Sequence, residues 1–171
     1  MERYRAYPSS ENGANLNEAH HLDDIDRRLL RELQADAEQS QAALAEKVGA
    51  SAASVWRRVR SLEEAGVLKG AVRLVDPERV GRGVSVICQL RMRSHATEER
   101  AKFEAFILTR AEIAECFAMS GEWDYMLRVV VRDVADYERF LMGELLKHPT
   151  IATAASHFAL SQVKYTTALP V

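Results

Sequence analysis

The sequence predicts an α+β fold in two parts: three helices, then a small antiparallel sheet that carries two more. Three observations predict it. The stretch from Gln41 to Glu64, QAALAEKVGASAASVWRRVRSLEE, holds two runs of helical spacing separated by one glycine. At Val84 the apolar period changes from three or four to two. From there the runs follow the order strand, helix, strand, strand, helix, strand.

Residues 1–21 are polar, with Pro8, Gly13 and several Asn and Ser, and lack a sustained period. That predicts a flexible tail. The adjacent His20 and His21 have no further ligand at metal spacing. Order begins near Leu22. Asp23 can cap a helix, and Asp24 and Asp26 fall in its first turn, where the helix dipole favours acids. Ile25, Leu29, Leu30 and Leu33 form its apolar stripe, and Ala35 to Ser40 is a polar connection.

In the next helix Leu44 and Val48 share a face, and Ala45 is small where crossing helices must approach. Gly49 stops that helix and Ser51 can cap the one after it. Val55, Val59 and Leu62 recur at the spacing of one buried face. Small residue, turn glycine and apolar anchor are the steric minimum for a helix-turn-helix.

The other face of that helix carries Ser51, Ala52, Ala53, Ser54 and Trp56, with Arg57, Arg58 and Arg60 following. No acid lies between Ser51 and Leu62. A small-residue start that can enter a groove, followed by arginines within reach of phosphates or guanine edges, suits DNA. An ordinary amphipathic helix with a solvated arginine face is the competing reading, and the glycine turn ahead of it weighs against that. The net charge of −2 excludes a chain that coats nucleic acid indiscriminately, so binding must come from this local patch.

Glu63 and Glu64 face away, and Gly66 ends the helix. Val67 to Val75 has strand character, as a wing or a link, until Asp76-Pro77 breaks it. Val84, Val86, Cys88, Leu90 and Met92 alternate with polar residues, Ile87 excepted, as a half-buried strand does. Thr97 can cap a helix that points Phe103, Phe106 and Ile107 one way. Ile113 to Met119 and Tyr125 to Val131 are two strands around a turn, Ser120 to Asp124. Val134 to Leu145 is helical, and Ser156 to Tyr165 is the last strand. This order is the ferredoxin-like βαββαβ plan, with both helices on one sheet face. The open face and edges of so small a sheet predict association. The expected division is a tail at 1–21, a helix-turn-helix at 22–66, a linking strand and hinge at 67–82, and the sheet domain at 83–171.

Cys88 and Cys116 sit in apolar segments and read as buried reduced thiols. No metal spacing, phosphate-binding glycine loop or base-paired serine appears, so no metal, cofactor or catalytic residue is expected. No run of about 18 apolar residues marks a membrane span. A cytoplasmic protein that is not an enzyme is the expectation.

From Leu22 to Pro170 the chain resembles the Lrp/AsnC family, the leucine-responsive and asparagine-responsive regulators. The resemblance is carried by LDDIDRRLLRELQAD, LAEKVGAS, SVWRRVRSLEEAGVLKG, Asp76-Pro77, Gly81, SGEWDY and VKYTTALP. It implies a (winged) helix-turn-helix followed by a ligand-sensing RAM domain of the split βαβ fold. It further implies a sequence-specific DNA-binding transcription regulator, dimeric and often octameric, that responds to an amino acid or related metabolite.

The resemblance also implies that the turn lines an effector pocket. The positions carried over are Ser120, Gly121, Glu122, Trp123, Asp124 and Tyr125, with Ser156 from the last strand. Asp124 or Glu122 can accept from an ammonium, and backbone amides near Gly121 can donate to a carboxylate. GEWD is equally a good tight hairpin turn in which Asp124 bonds the backbone.

The sequence departs from the family pattern at three places. Ala50-Ser51-Ala52 stands for the usual Leu-Ser-Pro, Ala71 for a frequent tyrosine, and Ala154-Ala155-Ser156 keeps one hydroxyl of two. The last puts the usual ligand in doubt. A competing class is a tetrapyrrole decarboxylase-like enzyme on the same plan. Its histidine- and tyrosine-rich signature is missing from VSVICQLRMR. A third class is a non-sensing assembly module, which the arginines argue against.

Overall fold

The computed structural model describes residues 21–171, so the expected tail lies almost wholly outside the described residues. Two compact units form, residues 74–163 and residues 21–73 with 164–171. The final eight residues thus join the helices, where the sequence assigned them to the sheet domain.

The helical unit holds α1 (Asp24–Ala35), α2 (Gln41–Val48) and α3 (Ala52–Glu64). Asp23 starts α1 with a capping box, accepting from the Ile25 and Asp26 amides while Asp26 accepts from its own. Ser40 caps α2 and Ser51 caps α3, each worth about 1 kcal/mol. Gly49 turns between them at φ 70°, a left-handed conformation that glycine adopts freely. Leu29, Leu44, Ala45, Val48 and Val55 form the core, with Ile25, Leu33, Ala50 and Val59 packed on it. Lys47 pairs with Glu32 at 2.8 Å to tie α2 to α1. Late in the chain, Leu169 exchanges two hydrogen bonds with the Gln34 amide, and the Val171 carbonyl accepts from Arg31.

The strand expected over 67–75 does not form. The segment is irregular, with Val72, Leu74 and Val75 exposed. A strand needs a neighbour for its N–H and C=O groups, and no strand among the described residues pairs with this segment.

The sheet unit holds β1 (Val84–Met92), α4 (Thr97–Leu108), β2 (Ile113–Ala118), β3 (Tyr125–Val131), α5 (Val134–Phe140) and β4 (Ile151–Phe158). A π-helical turn, Leu141–Leu145, extends α5. The strand order is β2-β3-β1-β4, antiparallel throughout, which is the ferredoxin-like arrangement. Val86, Cys88, Leu90, Leu127 and Val129 pack under Phe103 and Ile107 of α4 and Tyr137 and Phe140 of α5. Ile87, Gln89, Arg91, Met126 and Arg128 alternate onto the opposite face.

Three details differ from the sequence reading. Thr97 is the first residue of α4 and not its cap, and Ala96 makes no capping bond. The last strand starts at Ile151 and stops at Phe158, because its register follows β1. Cys88 is buried but Cys116 is exposed, since β2 lies at the sheet edge. No helix among the described residues is long and apolar enough to cross a membrane.

Candidate DNA interface and effector site

Val55 and Leu62 anchor α3 inward, with Val59 half-buried between them. Ala52, Ala53, Trp56, Arg57 and Arg60 are exposed on the other side. Trp56 is 57% exposed, an unusual place for so large an apolar surface. Arg60 holds its guanidinium carbon 5.9 Å from the Trp56 ring centroid and donates to Glu64 at 3.1 Å. Arg57 has no hydrogen bond or ion pair among the described residues. Ser51 spends its side chain on the cap, accepting from the Ser54 amide at 3.2 Å, so it is a structural group at the start of α3.

Arg58 departs from the expectation for this face. It turns inward and donates to Asp23 at 2.8 Å and to Asp26 at 2.7 Å. The two acids raise its pKa above the usual arginine value. The Asp26 amide, and then Arg58, hold the Asp23 carboxyl below the ordinary carboxylate range. Arg58 therefore clamps α3 to the start of α1. Its Nη1 group is shared between the two carboxylates, which offset its charge.

In the sheet unit the structure brings Ser120 to Tyr125 together as the turn between β2 and β3. The backbone of Asp124 donates to the Leu90 carbonyl at 2.9 Å and accepts from the Met119 amide at 2.8 Å. Its carboxylate accepts from the Met92 amide at 2.7 Å. Asp124 thus bonds the backbone, as a turn residue does, and fixes the turn to the end of β1. Gly121 takes φ 111°, so any side chain there strains the turn although the space is open.

Glu122 and Trp123 are engaged by a residue the sequence reading passed over. Arg91 donates to the Glu122 carbonyl at 2.9 Å and to its carboxylate at 2.6 Å, and stacks 5.1 Å from the Trp123 ring centroid. The signal was present, because strand alternation puts Arg91 on the open face. Ser156 lies apart from the turn. It stands opposite Cys88 on the helix-covered face, hydrogen-bonded to the Tyr137 hydroxyl. Its hydroxyl is used inside the sheet unit.

On its inner side the turn borders a cavity of about 150 Å³, where Asp124 and Tyr125 meet Met92, His95, Arg100 and Met119. No group of three metal-ligating side chains occurs among the described residues.

Comparison with known proteins agrees with both halves. Residues 22–69 match a winged helix-turn-helix DNA-binding model and residues 85–169 match the Lrp/AsnC ligand binding domain. The chain is 37% identical over 150 residues to the DNA-binding transcriptional activator DecR of Escherichia coli (strain K12), covering 88% of this chain and 99% of that one. It is 39% identical over 150 residues to the Bkd operon transcriptional regulator of Pseudomonas aeruginosa, covering 88% and 98%. Among solved structures, a transcriptional regulator from Neisseria meningitidis in complex with L-methionine superposes with a TM-score of 0.84. It is 33% identical, over 88% of this chain and 97% of that one. With a DNA-binding head and a ligand-binding sheet domain matched in order along one chain, the protein belongs to the Lrp/AsnC family of transcriptional regulators.

Proposed function

We propose that this regulator reads double-stranded DNA through the outer stripe of α3 and is modulated by an amino acid bound at the β2–β3 turn. Ala52 and Ala53 allow close approach to a groove, Ser51 and Ser54 frame the helix start, and Trp56, Arg57 and Arg60 supply contacts. Arg57 carries the reading, because it is a cation without a partner among the described residues, beside an exposed Trp56. Gly121 and Asp124 shape the effector site, with Ser120, Glu122, Trp123 and Tyr125 around them. The chain works without a catalytic group, in the cytoplasm, where its DNA is.

The working form is a homodimer, assembling further to an octamer. The open sheet face supports this. Phe117, Met126, Gln89 and Ala155 lie in one row across it, and Phe117 is 48% exposed. A second copy covers such a face by symmetry.

The test is operator selection from random duplexes, followed by affinity measurements with and without each amino acid. A defined operator whose affinity shifts with an amino acid is expected. Equal binding to all duplexes, or no response to any amino acid, overturns the corresponding half of the reading.

A further inference from the structure

Trp56 is the large apolar side chain on the outer stripe of α3, and it is 57% exposed. An aromatic side chain carries roughly 150–250 Å² of surface that gains by leaving water, and here the fold leaves much of it uncovered. Trp56 stands one turn after Ala52 and one turn before Arg60, on one line along the helix. Side chains on a helix lean toward its start, and the small Ala52 offers nothing to block the indole there.

The indole also has a backing. Arg60 sets its guanidinium carbon 5.9 Å from the ring centroid, and its Nε donates to Glu64 at 3.1 Å. Glu64 thus holds Arg60, and Arg60 backs the ring, so less side-chain freedom remains to be lost on binding.

The chemistry of the ring decides what it reads. An indole has one donor, Nε1–H, and no acceptor. It cannot make the paired hydrogen bonds that arginine makes to guanine or asparagine to adenine. What it offers is apolar area. Thymine is the base that presents an apolar group, its C5 methyl, in the major groove.

We propose that Trp56 is a specificity-determining residue that reads a thymine C5 methyl in the major groove. The inference rests on α3 being the DNA-reading helix and assigns one base to one of its side chains. Cytosine at the same position lacks the methyl and turns its amino donor to an apolar ring, so thymine is selected over it.

The experiment uses the full chain and an operator selected with it from random duplexes. Each thymine in turn is replaced by deoxyuridine, which removes the methyl and keeps every hydrogen-bonding group of the base edge. Affinities are measured for wild type and Trp56→Ala, at a salt concentration low enough for both to bind. Uracil at a defined thymine should weaken wild-type binding about fourfold, the value of burying one methyl group. Trp56→Ala should bind the thymine and uracil duplexes equally. With cytosine placed at that position, its 5-methyl derivative should recover binding in wild type and not in Trp56→Ala. The ring lies outside the core of the helical unit, so Trp56→Ala keeps the fold, which a melting curve checks.

Uracil tolerated by wild type at every position overturns the assignment and leaves α3 as the reading helix. A uracil penalty that persists in Trp56→Ala, or one without recovery by 5-methylcytosine, does not come from a methyl–indole contact and overturns it as well. Failure to select any operator overturns the reading of α3 and this inference with it.

Discussion

On the outer stripe of α3, Arg57 points outward with no partner among the described residues. In the turn between β2 and β3, Glu122 is held by Arg91 and Asp124 by the Met92 amide. Both surfaces are exposed and charged, and they differ in where the charge goes. A face that meets a polyanion gains by leaving cations unpaired, because each phosphate contact releases counterions. A turn that meets a small ligand gains by holding its backbone rigid, because ordering costs are then met before the ligand arrives. Arg58 shows that one helix contains both patterns. It lies next to Arg57 in sequence and is committed to Asp23 and Asp26.

The sharpest test of that contrast compares neighbouring arginines. Arg58→Ala should cost the helical unit about 1.5–3 kcal/mol, since it leaves a largely buried Asp26 without its cation. Operator affinity should then fall in step with the unfolded fraction in a thermal melt. Arg57→Ala should leave the melting curve within about 0.5 kcal/mol of wild type. Its operator affinity should drop by about 1–3 kcal/mol if it contacts a base. If it contacts a phosphate, the log–log salt slope should fall by about 0.9. Equal melting shifts for the two variants would erase the distinction between them.

At the turn the expected effects are smaller. Asp124→Asn keeps an acceptor for the Met92 amide but loses its charge, at about 0.5–1.5 kcal/mol of sheet-unit stability by denaturant titration. Glu122→Gln touches an exposed ion pair and should change stability by about 0.5 kcal/mol or less. A loss larger than that of Asp124→Asn would make Arg91–Glu122 the structural anchor. The smallest effect is confined to acid. The Asp23 carboxyl is held below its ordinary 3.8, so its stabilising contribution is complete above about pH 4. It disappears as pH falls through the lower folded value. Asp23→Asn should therefore flatten the acid limb of melting temperature against pH, and an unchanged limb would remove Asp23 from the clamp.

The sequence by itself determined the parts that depend on near neighbours. The caps at Asp23 and Ser51 and the left-handed Gly49 act within a few residues, and so does the Val55–Leu62 stripe. The alternation of β1 likewise announced a sheet with one covered face. Tertiary structure decided the partners. Arg58 lies 35 positions from Asp23, and Arg91 lies 31 from Glu122. Helical periodicity put Arg58 beside the apolar stripe, but only the crossing of α1 over α3 brings an acid pair to it. Ser156 carried a plausible hydroxyl, yet the β1–β4 register turned it toward Tyr137 and away from the turn. The linking segment at 67–75 reads as a strand by composition and stays irregular. Strand propensity is realised only when another strand supplies its hydrogen bonds.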